Sequence, residues 1–406
     1  MKIIYLHQYF KKPSMNGGVR SYEFAKRLVR DGHEVVIVTS DTENDFSSWK
    51  VENIDGIEVH WLSVKYSNSF GFFKRLVAFF KYVVLTTLHI IPMHCDRVVA
   101  TSTPLTISIP AMFYKLYRNK PYIFEVRDVW PEVPIALGFL NNPILKYLAL
   151  FLERISYKYS DSIITLSPDM KNSVLKRANG KAVTVIPNAS DTDLFSLKSD
   201  FSIKTEYSSR LYEIRERHEK VVFYTGTLGM VNNLSYLIDL ASYSKGDIAF
   251  VIVGSGKEKF ELEQLSQENG TLNRVVYFFE AMPKNHLYII HQLFDLSCST
   301  VLPVEELYAN SANKIFDAFA SGTPILINHE GWLAELIRSS GCGLILNSTP
   351  SEEEYTKLHC FLYDELEYSN ARDSSKNLGV TDYNREYLYQ KFIKAIKGES
   401  YDKANL

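Results

Sequence analysis

The feature that most constrains this chain is an alternation of short apolar runs with helical stretches, repeated on either side of one polar interruption. Lys2 to His7 is a strand-like run, Glu23 to Arg30 places Phe24 and Leu28 at helical spacing, Gly32 stops that helix, and Glu34 to Ser40 supplies the next strand. The pattern continues through Arg97 to Thr101, Tyr122 to Val126 and Ser162 to Leu166. Strands apolar on both faces and joined by helices build a parallel sheet covered on both sides, so a doubly wound, Rossmann-like α/β domain is expected. After VTVIPN comes a polar stretch, Ser190 to Arg210, without apolar period. Alternation restarts at Lys220 with KVVFYTG and runs on through IAFVIVGSG, RVVYFFE, LSCSTVL, PILINH and GLIL. Two such domains are expected, over residues 1–188 and 189–384. The segment 385–406 opens with amphipathic REYLYQKFIKAIK and is expected to pack back on the N-terminal domain.

Composition removes several classes. The chain has 406 residues, 46% hydrophobic and 23% charged, which is the balance of a folded globular protein. Its 45 Lys and Arg against 47 Asp and Glu give a formal charge of −2, so no nucleic-acid partner is expected. Cys95, Cys298, Cys342 and Cys360 are too scattered for a C-x-x-C pair or a disulfide framework and are expected to be reduced core residues. The opening MKIIYLHQYF lacks the basic region, long apolar stretch and cleavage site of a signal peptide, and the stretch from Tyr82 to Cys95 without Lys, Arg, Asp or Glu is shorter than the ~20 residues of a membrane-spanning helix. A cytoplasmic compartment is expected.

Open α/β sheets bind ligands beyond the carboxyl ends of their strands, so the loops there carry the chemistry. Gly17-Gly18 precedes a helix and lets a backbone approach a ligand closely, although the dinucleotide fingerprint G-x-G-x-x-G is missing despite Asp41 at the end of the second strand. In FEVRDVWPE, Asp128 or Glu132 is suited to hold a hydroxyl and Arg127 to meet a phosphate, against the plainer reading of an exposed turn with a local ion pair. In EELYANSANKIFDAFASGTP, Asn310, Asn313, Lys314 and Asp317 share one helical arc of about 100°, opposite Ala312, Ile315, Phe316 and Phe319. Asn310 or Ser311 is placed to cap that helix, its first amides and Lys314 to neutralise an anion, and Asp317 to accept two hydroxyl hydrogen bonds. That set fits a nucleotide diphosphate. Asp191-Thr192-Asp193 has the spacing of a metal-bridging pair but follows no strand end, and no His/Cys cluster offers zinc ligands, so no metal is expected.

Gly17-Gly18, the IPNASDTDLF passage, the YTGTLG turn, VGSG and the helix ending FDAFASGTP together resemble the GT-B-type retaining glycosyltransferases of family 4, over nearly the whole chain. HQYF, GGVRSYEFAKRL, FEVRDVWPE and NSANKIFDA are similar to the branch that builds bacterial surface polysaccharides, including acetamido-deoxysugar transferases. The resemblance implies an N-terminal acceptor-side domain and a C-terminal nucleotide-sugar domain facing a cleft, a UDP-linked donor, a polyprenyl-diphosphate-linked or other saccharide acceptor, and no cofactor. It places Gly226, Thr227, Asn232, Asn310, Ser311, Ala312, Asn313, Lys314 and Asp317 around the donor, Gly17, Gly18 and Arg20 in the cleft, and Asp128, Arg127 and Glu132 at the catalytic centre. The departures are specific. Of two glutamates common in the family, the one gripping the ribose corresponds to Asp317 and the one touching the sugar falls on Ala309, with Asn310 as substitute. The diphosphate-binding Arg and Lys fall on Thr227 and on Asn232 or Asn233. Lys314 with the helix N-terminus, or Arg20 or Arg127 from the other domain, is left to carry that charge. The family's frequent His-Asp pair is Arg127-Asp128.

Phe70 to Leu88 projects Phe72, Phe73, Leu76, Val77, Phe79, Phe80, Val83 and Val84 on about half a helical circumference, bordered by Lys74 and Lys81. Two readings stay open, a buried helix or an anchor on the anionic inner face of the cytoplasmic membrane. The expected function is transfer of a sugar from a nucleotide diphosphate to a lipid-linked saccharide with retention. Its rivals are a nucleotide-sugar epimerase and a non-catalytic nucleotide-sugar- or glycan-binding subunit.

Overall fold

A computed structural model describes residues 1–15, 17–42, 44, 46, 49–65, 71–195 and 207–399. The chain divides into two compact units. The first comprises Met1–Lys12, Val19–Pro187 and the chain from Tyr389 on; the second comprises Pro13–Gly18 and Asn188–Leu388.

The first unit is built on an eight-stranded sheet in the order β3-β4-β2-β1-β5-β6-β7-β8. Its strands are β1 (Lys2–Leu6), β2 (Glu34–Asp41), β3 (Lys50–Ile54), β4 (Ile57–Ser63), β5 (Arg97–Thr101), β6 (Tyr122–Val126), β7 (Ser162–Thr165) and β8 (Ala182–Val185). Every neighbouring pair is parallel except β3 with β4, a hairpin closed at Asp55-Gly56, where both residues take positive φ. An Asp-Gly turn between alternating residues is a strong hairpin signal, so this element was present in the sequence but hidden by the search for parallel units. The sheet reverses direction of growth between β1 and β5, which makes the ends of those strands its ligand-binding position. The Phe72–Ile90, Ser108–Arg118 and Pro143–Tyr159 helices contribute Tyr82, Tyr114 and Tyr157 to one core layer. In the Arg385–Lys397 helix, Phe392 stacks on Phe24 with ring centroids 4.5 Å apart, and Tyr389 donates to Asp31 at 2.6 Å.

The second unit holds a six-stranded parallel sheet, β11-β10-β9-β12-β13-β14, with β9 (Lys220–Thr225), β10 (Ile248–Val253), β11 (Val276–Phe279), β12 (Leu296–Ser299), β13 (Ile325–Ile327) and β14 (Gly343–Ile345). Growth reverses between β9 and β12. Four strands are buried along their whole length, as the unbroken apolar runs require. The segment 305–321 departs from expectation. The residues before the expected cap form a short helix of their own, Glu305–Tyr308, and the second helix, Asn313–Ser321, starts later than expected, with Ala312 at its N-cap. Asn310 therefore leaves the arc that Asn313, Lys314 and Asp317 share, and no side chain caps the second helix, contrary to the capping role expected of Asn310 or Ser311.

Candidate functional site

The carboxyl ends of β9, β10 and β11 and the start of the Asn313–Ser321 helix enclose a cavity of about 400 Å3 in the second unit. Its lining includes Thr225, Gly226, Thr227, Asn232, Gly254, Ser255, Lys284, Asn313, Lys314 and Asp317, together with Gly17 and Gly18, which group with this unit. The floor is a pair of turns zipped together: Gly226 N–H donates to Val253 and Leu228 N–H to Ser255. They lie so close that a Cβ on Gly254 would sit 1.8 Å from the Gly226 carbonyl oxygen, and one on Gly256 would sit 1.9 Å from that of Leu228. This close approach explains why both turns are glycine-rich. The Asn232 side chain is used locally, donating to the Thr227 carbonyl at 2.9 Å, which the Tyr224 hydroxyl also reaches at 2.8 Å.

Charge in the cavity is concentrated on three groups. Lys314 lies over the Tyr224 ring, 4.4 Å from its centroid, and among the described residues makes no ion pair with a carboxylate. Burial pushes its pKa down to about 8. This ammonium stands beside a helix whose N-terminus no side chain caps, an arrangement suited to an anion. Asp317, in the second turn of that helix, is 4% exposed, and burial raises its carboxyl above the ordinary value against the opposing pull of Lys284. Lys284 stands between two carboxylates, 3.1 Å from Asp317 Oδ1 and 2.6 Å from Asp191 Oδ2; burial disfavours its charge, but the two acids outweigh it and raise its pKa. Asp191 also pairs with Arg385 and is held well below the carboxylate range despite its burial. Sequence reasoning missed Lys284 altogether and saw in Asp191 only a metal motif. No local pattern ties either to Asp317.

Asn310, Ser311 and Ala312, expected around the donor, are not among the residues that line this cavity, which begins at Asn313 on this segment. Asn188 Nδ2 donates to the Ser311 carbonyl at 2.6 Å and Trp332 Nε1 to that of Asn310 at 2.9 Å. Asn310 Oδ1, Ser311 Oγ and Asn188 Oδ1 are buried without a hydrogen-bond partner. Ala309, where the family's sugar-contacting glutamate would stand, is buried.

In the first unit, the ends of β1, β5 and β6 gather a second polar group. Arg127 Nη1 approaches His7 Nε2 at 3.2 Å, its backbone N–H donates to Ser102 Oγ at 3.0 Å, and the Thr103 hydroxyl donates to exposed Asp128 at 2.6 Å. Burial and the nearby Arg127 hold His7 well below the usual imidazole value, so the ring is neutral. With Nε2 accepting from Arg127, its proton is on Nδ1, which is buried without a partner, as is Gln8 Oε1. Glu132 is not part of this group: one oxygen pairs with Arg177 and the other accepts from Ser173 at 2.7 Å, so its expected catalytic role is corrected to a structural one. Arg20 is corrected likewise. It is 2% exposed, binds Glu125 at 2.9 Å and donates to the carbonyls of Ile186 and Pro187, so it is buried in bonds within its own unit.

Two doubly wound units, one holding an anion-binding cavity at its switch point, define the GT-B class of glycosyltransferase. The particular family follows from comparison: residues 17–194 match Glycosyltransferase Family 4 and residues 213–377 match Glycosyl transferases group 1, and the chain belongs to the GT-B glycosyltransferases of family 4. It is 22% identical over 293 residues to the putative colanic acid biosynthesis glycosyl transferase WcaI of Escherichia coli K12, covering 67% of this chain and 71% of that one. Among solved structures, sucrose-phosphate synthase from Thermosynechococcus elongatus matches with a TM-score of 0.78 at 14% identity, over 98% of each chain. Anabaena Alr3699/HepE in complex with UDP and glucose matches with a TM-score of 0.71 at 18% identity, over 98% of this chain and 100% of that one.

Proposed function

We propose that this glycosyltransferase moves a sugar, an acetamido-deoxysugar in the reading that its motifs favour, from UDP to a polyprenyl-diphosphate-linked saccharide, with retention of configuration, in bacterial surface polysaccharide assembly. The carrying observation is the convergence on one cavity of an uncapped helix N-terminus, a cation without a carboxylate partner and Asp317. The UDP and glucose in the Alr3699/HepE complex and the colanic acid role in the WcaI name support the donor and pathway classes. In the step proposed, the bond from the anomeric carbon to the diphosphate oxygen breaks, the acceptor oxygen bonds that carbon from the same face, and a donor phosphate oxygen takes the acceptor's proton. The helix amides and Lys314 stabilise the charge growing on the leaving diphosphate, Asp317 holds the ribose, and Asp128 with Arg127 serves the acceptor. Transfer proceeds without a metal, because Asp191 already stands between Lys284 and Arg385.

The membrane part of the reading rests on the outer surface of the first unit. Among the described residues no helix is long and apolar enough to cross a bilayer. Exposed apolar side chains nevertheless cover three neighbouring helices: Val77, Phe80, Val84 and Leu88 on the first, Phe113, Leu116 and Tyr117 on the second, and Ile144, Tyr147, Leu148 and Phe151 on the third. The exposed charges of the Pro143–Tyr159 helix are Lys146, Arg154 and Lys158, its one acid being buried Glu153. An apolar face with a basic border suits an anionic bilayer. Of the residues the sequence placed on the apolar arc, Phe79 is half-buried and Val83 buried, while Phe70 and the side chains of Phe72, Phe73 and Leu76 lie outside the described residues.

Incubation with a panel of nucleotide sugars, with and without membrane extract and with and without EDTA, tests the reading. A lipid-bound, metal-independent product is expected. A free isomerised sugar would mean an epimerase, and binding without product would mean the non-catalytic subunit that Ala309 and Thr227 favour.

A further inference from the structure

We propose that Lys284 is a positioning residue of the donor site, whose ammonium holds the Asp317 carboxylate in place and in its charged form for the ribose. The inference rests on the reading of Asp317 as the ribose-binding acid and goes beyond it. The geometry is specific. Lys284 opens the turn Lys284–His286 after β11, and its side chain, 15% exposed, reaches Asp317 and Asp191 at once while lining the cavity. Asp317 thus has one fixed cation on its Oδ1 side, with a second carboxylate standing just beyond that cation.

The electrostatics make the arrangement necessary. An isolated carboxylate this deeply buried protonates rather than stay charged, and a protonated acid accepts fewer hydroxyl hydrogen bonds and forms weaker ones. The groups acting on Asp317 are Lys284, Asp191, Arg385 and, on its own helix, Lys314. Burial and Asp191 work against its charge; Lys284 and Arg385 work for it. Lys284 is faced in addition by His291, which burial keeps neutral, at about 3. Lys284 is the only member of this set within 4 Å of Asp317 among the described residues, so removing it leaves burial and Asp191 dominant.

Calorimetric titration with UDP from pH 5.5 to 8.5 tests this through the ratio of variant to wild-type dissociation constants, in which the ionisation of UDP itself cancels. In Lys284→Met the pKa of Asp317 rises into this range, so the ratio should climb as the pH falls, by about tenfold per unit below that pKa. Lys284→Arg, which keeps the charge, should give a nearly flat ratio. Asp191→Asn removes the opposing acid and leaves Lys284 on Asp317, so its ratio should not climb as the pH falls. A climb in Lys284→Arg or Asp191→Asn would overturn the proposal whether or not Lys284→Met folds. A large but pH-independent loss in Lys284→Met would overturn the proposal and leave Lys284 a direct ligand contact or a structural group. So would equal pH slopes in Lys284→Met and Asp191→Asn. Failure of the underlying reading is separate: it shows as unchanged UDP affinity in Asp317→Ala.

Discussion

Arg20 and Lys284 are both cations buried against carboxylates, one in each unit, and they end in opposite uses. Around Arg20 every strong bond is closed. Glu125 Oε1 takes the guanidinium, Glu125 Oε2 takes the Thr101 hydroxyl at 2.6 Å and the Tyr5 hydroxyl at 3.2 Å, and two backbone carbonyls accept from Arg20 as well. Burial raises the Glu125 carboxyl, yet Arg20 and Arg127 bring it below its ordinary value. The Lys284 group instead lines a cavity and lies in the unit whose Asn188, Asn310 and Ser311 keep unpartnered atoms. Buried charge alone therefore does not mark a site. The distinguishing sign is a space that a ligand fits, lined by Lys284, Asp317 and Lys314.

The largest effect expected from this contrast is on stability. Arg20→Met leaves the buried Glu125 without its paired cation and should cost about 3–5 kcal/mol in denaturant unfolding, while UDP affinity of the folded protein stays within about twofold of wild type. A stable Arg20→Met protein that had lost UDP affinity would erase the distinction between strut and site.

Next in size is Lys314→Met. It removes the cation beside the helix amides and should weaken UDP about tenfold to a hundredfold, a charged hydrogen bond contributing roughly 1.5–3 kcal/mol, with uridine affected much less. The sign of the pH dependence follows from a lysine pushed down to about 8. It is partly neutral at pH 8 in the free protein, a bound diphosphate restores its charge, and binding there takes up a proton and weakens as the pH rises further. Titrations in buffers of different ionisation enthalpy read that uptake, which should vanish in the variant.

The smallest effect extends the comparison to the outer faces. The first unit exposes apolar helices edged with Lys and Arg, whereas the Glu352–Tyr363 helix of the second exposes Glu352 and Glu353 at its start. Phe80→Ser with Leu116→Ser should reduce partitioning onto anionic vesicles by about tenfold, less than full burial of two such side chains would give, and leave the unfolding midpoint nearly unchanged. Unaltered partitioning with a lowered midpoint would make these helices ordinary core elements.

How much of this was legible in the sequence depends on the range of the interaction. Period and punctuation placed β1, β5 and β6 within a residue and located all six strands of the second unit, with runs up to three residues longer than the strands, because burial leaves an unbroken apolar run. Asn313, Lys314 and Asp317 were legible as one face because a single helix carries them. Asn310 was misplaced: helical spacing continues across Ala309 to Ala312 in the sequence, but the chain there breaks into two helices, and tertiary bonds such as Trp332 to the Asn310 carbonyl hold the break. His7, Lys284 and Asp191 act through partners far away along the chain, which no window of the sequence brings together. Asp317→Ala is also expected to lower stability, since Lys284 loses one of its two counterions.

Calorimetric titration of UDP into folded Asp317→Ala tests the central claim most directly, with Asp317→Glu alongside. Two charge-assisted hydroxyl bonds at roughly 1.5–3 kcal/mol each predict an affinity lower by one to several orders of magnitude in the alanine variant, and most of it retained in the glutamate variant. Wild-type affinity in Asp317→Ala would contradict the account and move the nucleotide out of this cavity.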